Sequence, residues 1–138
     1  MFHTRRDRDA TAILGSSMGG LVSVYAFFRH PSVFGRAGVM SPSVWFGQGA
    51  VLDFIQAARV RWGRVYVDVG TAEGAGTLRD VRRLGRLLVR KGFRRQRSHG
   101  TDERRWSPIL RYVEDADARH TEAAWASRLE GALAFLLE

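Results

Sequence analysis

A chain of 138 residues that is 45% hydrophobic, with 15 glycines and only 3 prolines, has the size and composition of one globular domain over residues 1–138 and excludes fibrous, low-complexity and repeat architectures. With no cysteine, disulfide, thiolate–metal and cysteine-nucleophile chemistry fall away together, and no apolar run reaches the length of a membrane span. The net charge of +8 has one source, because residues 79–105 hold eleven of the 22 basic groups and three of the 14 acidic ones.

Taken in chain order, residues 1–9 are charged with no hydrophobic signal core behind them, so the expected location is cytoplasmic. Residues 11–15 form a short apolar run that enters Gly15-x-Ser17-x-Gly19, and a helical pattern over 18–29 leaves it, stopping before Pro31. Strand, tight turn, serine and helix together make a nucleophile elbow, in which the backbone lifts the serine Oγ clear of the sheet. Gly15 and Gly19 are expected to supply room where a Cβ would collide with the strand or helix. Apolar runs at 37–40, 65–69 and 109–113 read as three further strands, and helices are expected over 50–58, 77–91 and 121–137. Four strands alternating with helices predict an α/β fold with a mainly parallel sheet.

Within the basic segment, Leu78, Val81, Leu84 or Gly85, and Leu88 share one helical face and Arg79, Arg82, Arg83, Arg86 and Arg90 lie off it, the pattern of a solvated amphipathic helix. No aromatic residues are interleaved for base stacking, so a nucleic-acid partner is not expected. Residues 94–105 have no periodicity and read as an exposed loop. In the last helix, Trp125, Leu129, Ala132 or Leu133, and Leu136 mark the expected core-facing stripe.

A serine nucleophile needs a base. His3 lies in a charged terminus, His30 at a helix end and His99 among arginines that would oppose its protonation. His120 follows the last strand in a polar turn, at the carboxyl edge that also carries Ser17. Glu73, on the glycine-rich turn after strand 65–69, can hydrogen-bond the far imidazole nitrogen. Asp68 is its rival, but lies within the strand, where side chains point to a sheet face. Asp115 and Asp117 read as solvated. Met18 can offer a backbone N–H to an oxyanion. The chain order Ser17, Glu73, His120 is that of the α/β-hydrolases.

Gly15-Ser-Ser-Met-Gly-Gly-Leu21, the Ser-Pro-Ser turn ahead of Trp45, Val69-Gly-Thr-Ala-Glu73 and His120-Thr-Glu-Ala-Ala-Trp125 with Arg128 and Leu129 resemble the putative esterase family of α/β-hydrolases, which contains enterochelin esterases, esterase D and feruloyl esterases. The resemblance implies hydrolysis of a small-molecule ester through Ser17, Glu73 and His120, without metal or organic cofactor. An acyltransferase using the same triad is the alternative. By the same resemblance Trp45 lines the substrate cleft, or else packs beneath its loop. Family members carry another half ahead of the elbow, including the loop that donates the second oxyanion-hole N–H. The expectation is therefore a truncated, impaired or inactive hydrolase, with its first strand at an open edge where a second chain could pair.

Overall fold

The computed structural model describes residues 3–96 and 107–138. A 3-10 turn at Arg8–Ala10 leads into β1 (Ala12–Ser16), α1 (Met18–Arg29), β2 (Arg36–Met40), a 3-10 turn (Phe46–Gly49), α2 (Ala50–Ala57), β3 (Arg64–Gly70), α3 (Ala75–Arg90), β4 (Arg94–Arg95), β5 (Ile109–Asp115) and α4 (Glu122–Leu137). The sheet order is β1-β2-β3-β5-β4, and every pairing is parallel. The fold is α/β, as expected, with five strands among the described residues in place of four.

The fifth strand, β4, begins the segment expected to be a loop. Arg94 N–H donates to Pro108 O and Gln96 N–H to Leu110 O, and this pairing with β5 outweighs the lack of any alternation in an arginine run. Residues 97–105, the rest of that expected loop, lie outside the described residues.

Helices cover both faces of the sheet, and Val-rich strands buried on both sides need nothing polar to face water. One core joins α1, α2 and α3 to Val39, Val65, Val67, Val69 and Leu110. The second sets Ala132, Phe135 and Leu136 of α4 against Met40 and Tyr66. The buried face of α4 thus differs from the expected stripe: Leu129 and Leu133 are exposed, and Arg128 is buried instead. Ala132 and Leu136 are buried as expected and Trp125 packs against them, while Arg128 takes the place expected of Leu129 because its guanidinium is drawn under the strand ends by Asp68.

Parallel strands put the turns that follow β1, β2, β3 and β5 at one edge. Register sets Ser16 beside Met40, Met40 beside Asp68 and Gly70 beside Asp115. The residues immediately beyond these strand ends build the site. Among the described residues, no helix is long and apolar enough to cross a membrane.

Candidate active site

Ser17 lies between β1 and α1 with φ 56° and ψ −119°, a left-handed conformation that a residue with a Cβ adopts at a cost of about 1–3 kcal/mol. Three backbone bonds hold it there: its N–H donates to Met40 O at 2.9 Å, and its carbonyl accepts from Leu21 and Ser43 N–H, each at 3.1 Å. The bend requires the strand and helix to touch. A Cβ on Gly15 would come within 2.6 Å of the Gly19 carbonyl carbon, and one on Gly20 within 2.8 Å of Met40 O. A Cβ on Gly19 itself would meet nothing within 4 Å, so the glycines that make room are Gly15 and Gly20 rather than Gly15 and Gly19.

Ser17 Oγ stands 2.9 Å from His120 Nε2, and His120 Nδ1 stands 2.7 Å from Glu73 Oε2. A carboxylate only accepts, so Nδ1 carries the proton and the Nε2 lone pair faces the serine hydroxyl. The histidine ring is part-exposed, at 40% of its side-chain surface, while the Glu73 side chain is fully enclosed. Trp125 packs edge-on against the imidazole, with ring centroids 4.9 Å apart. The residues drawn from three distant turns therefore meet in one line.

The acid and histidine turns are stitched together. Thr71 N–H donates to Asp115 O and Ala72 N–H to Ala118 O, while Asp117 N–H donates to the Thr71 hydroxyl. Gly70 packs so closely under Ala118 O that a side chain there would push the histidine turn away.

Beneath Glu73 lies a buried polar cluster centred on Asp68, whose exposure is 0%. Asp68 accepts from Arg128 Nε at 2.9 Å, Arg128 Nη2 at 3.2 Å, Tyr66 Oη at 3.0 Å and the Ser41 amide at 3.1 Å. Burial pushes the Asp68 carboxyl above the ordinary carboxylate value, and the bonds from Arg128, Tyr66 and Ser41 oppose that rise. Burial also disfavours the Arg128 cation, but its bonds to Asp68 and Asp115 outweigh this and keep it charged. Burial beside Asp68 raises the Tyr66 phenol as well, so it stays a donor.

The rival acid, Asp68, is thus committed to Arg128 on the α4 side of the sheet, and of the two it is Glu73 that reaches the imidazole. Asp115, expected in solvent, binds Arg128 Nη1 at 3.1 Å, because the buried guanidinium needs a third acceptor. Met18 is the first residue of α1, where N–H groups have no intrahelical partner and the positive end of the helix dipole lies close. Trp45 is 59% exposed and meets Phe46 edge-on at 6.2 Å, so it is not a packing residue beneath its loop.

Ser41, Ser43 and Trp125 were not legible as site residues. Ser41 and Ser43 flank Pro42 in a turn whose sequence gives no hint of cross-strand partners, although Ser43 Oγ lies 3.3 Å from Ser17 Oγ. Trp125 carries helical spacing and a place in the segment that resembles the family, neither of which gives it a role in the site. Arg128 did leave a signal, a charge on an otherwise apolar helix face.

Comparison with known proteins bears on the family and the fold. The model of the family described as Putative esterase matches residues 1–136. Among curated proteins, the uncharacterized protein YbbA of Bacillus subtilis (strain 168) is 28% identical over 99 residues, covering 67% of this chain and 40% of that protein. The enterobactin esterase FES of Shigella flexneri superimposes with a TM-score of 0.75 at 21% identity, over 95% of this chain and 31% of its own. A ferulic acid esterase gives 0.73 at 19% identity, over 96% and 52%. The S-formylglutathione hydrolase FrmB of Staphylococcus aureus gives 0.67 at 16% identity, over 100% and 55%. The chain spans about a third to a little over half of these relatives' own length. Matched by the family model almost from end to end and carrying the α/β-hydrolase sheet, this chain belongs to the Putative esterase family.

Proposed function

We propose that the chain carries the acyl-transfer centre of a carboxylic-ester hydrolase. His120 Nε2 takes the Ser17 hydroxyl proton as Oγ attacks the ester carbonyl, and Glu73 stabilises the imidazolium that forms. Met18 offers its N–H to the oxyanion, His120 returns the proton to the leaving alcohol, and water then clears the acyl-enzyme by the reverse sequence. The observation that carries this reading is the unbroken series Ser17 Oγ, His120 Nε2, His120 Nδ1, Glu73 Oε2, with gaps of 2.9 and 2.7 Å.

The structural neighbours are named for action on enterobactin, ferulic acid and S-formylglutathione, which share an acyl carbonyl and little else. The reading therefore extends to the reaction class, with a small-molecule ester as substrate and Trp45 as a wall of its cleft. A fluorophosphonate tests it directly: Ser17 Oγ displaces fluoride at phosphorus and its proton passes to His120. Mass spectrometry should find one adduct on the Ser17 peptide, abolished by Ser17→Ala and slowed by about a hundredfold or more in His120→Ala. An unlabelled Ser17 in folded protein would overturn the reading. If acyl groups from a labelled ester appear on an added alcohol faster than in water, the same centre is a transferase.

A further inference from the structure

Ser41 follows the last residue of β2, the strand that separates β1, which carries the nucleophile, from β3, which carries the acid. The relay from Glu73 to Ser17 therefore passes over this residue. Ser41 is fully buried and has φ 41°, a left-handed conformation rare for a side-chain-bearing residue. Its backbone N–H is fixed by Asp68, on the main-chain oxygen at 3.0 Å and Oδ1 at 3.1 Å.

Its hydroxyl has three neighbours: Glu73 Oε1 at 2.5 Å, Arg128 Nη2 at 2.9 Å and Trp125 Nε1 at 3.1 Å. Guanidinium and indole N–H groups only donate, so both lone pairs of the Ser41 oxygen are taken. Its single proton must then go to Glu73. The same carboxylate oxygen accepts Gly70 N–H at 2.7 Å, which leaves Oε2 free to face His120. Arg128 Nη2 is itself 3.7 Å from Glu73 Oε1, an ion pair beyond hydrogen-bond distance, and the Ser41 hydroxyl bridges the two from the side, accepting from one and donating to the other.

We propose that Ser41 is a positioning residue for the acid of the triad: its hydroxyl, aimed by Arg128 and Trp125, aligns Glu73 towards His120 and keeps the Glu73–Arg128 ion pair from tightening to hydrogen-bond distance. This rests on the esterase reading for its catalytic meaning, though not for its geometry. Without the hydroxyl, Arg128 Nη2 loses an acceptor and the nearest replacement is Glu73 Oε1. The carboxylate turns inward and the imidazole loses its orientation.

The experiment compares wild type, Ser41→Ala and Ser41→Cys by two readouts. The first is the low-field proton NMR signal of His120 Nδ1–H, assigned by its loss in His120→Ala, which needs no turnover. The second is the rate of Ser17 phosphonylation. Ser41→Ala should move the Nδ1–H signal upfield or broaden it away and slow labelling by about a hundredfold, the scale of a roughly 1 Å misplacement. Ser41→Cys, which fills the space and donates weakly, should lie between the two, and it carries the test if Ser41→Ala does not fold. A folded variant with unchanged signal and unchanged labelling overturns the proposal. If wild type itself is not labelled, the esterase reading fails, while the Nδ1–H signal still decides what Ser41 does to Glu73.

Discussion

The three glycines of the elbow motif are not equivalent, and their substitution separates a structural constraint from a sequence habit. Gly15→Ala drives a methyl into the backbone of α1 and should cost about 1–3 kcal/mol, with Ser17 labelling lost through the displaced bend. Gly19→Ala meets open space and replaces glycine in a helix, so thermal denaturation should show unchanged or slightly raised stability, by up to about 1 kcal/mol. Arg128 belongs to the same scale. Arg128→Met leaves the enclosed Asp68 charge without its counter-ion and should destabilise the fold by about 3–5 kcal/mol in urea denaturation. Ser17, Glu73 and His120 could be read from the chain because each sits in a local pattern: an elbow, a glycine-rich turn, a polar turn before a helix. Ser41 could not, because its meaning lies in partners 27, 32, 84 and 87 residues away in sequence.

Helix α4 shows how an element is held at both ends by different means. At its start the Thr121 hydroxyl accepts Ala124 N–H at 3.2 Å, so Thr121→Ala should cost about 1 kcal/mol and loosen the turn that carries His120. At its finish, Arg36 and Arg64 from the beginnings of β2 and β3 donate to the carbonyls of Leu136 and Phe135, placing cations at the negative end of the helix dipole. The amphipathic character of α3 was plain from spacing, and its outer face is braced by Arg82, whose guanidinium bonds both oxygens of Glu114 at 2.8 Å. That bond holds the Glu114 carboxyl below its ordinary value, with burial opposing. A carboxyl depressed in the folded chain adds stability above its unfolded value and loses it as pH falls through the folded one. The melting-temperature gap between wild type and Glu114→Gln should therefore be full at neutral pH and close in acid. Strand β4 was not legible, since two arginines carry no strand pattern and owe their conformation to the edge of β5.

At the scale of the whole molecule, the order of parallel strands does what no single motif can: it brings residues 17, 73 and 120 to one rim. The α/β class and the rim itself followed from the alternation of strands and helices. The strand order across the sheet did not, because alternation fixes handedness and direction but not which strands become neighbours. The opposite rim is a different place. There Arg8 donates to the carbonyls of Pro31, Phe34 and Trp62, and Glu138 pairs with Arg64 at 3.2 Å. Arg8 and Glu138 are thus held away from the chemistry, on the rim that lies the length of α4, about 24 Å, from the start of that helix beside His120. Because the sequence contains no cysteine, Arg61→Cys would place a single exposed thiol on that rim, where a fluorophore or bead could be coupled while the reactive mouth stays unobstructed.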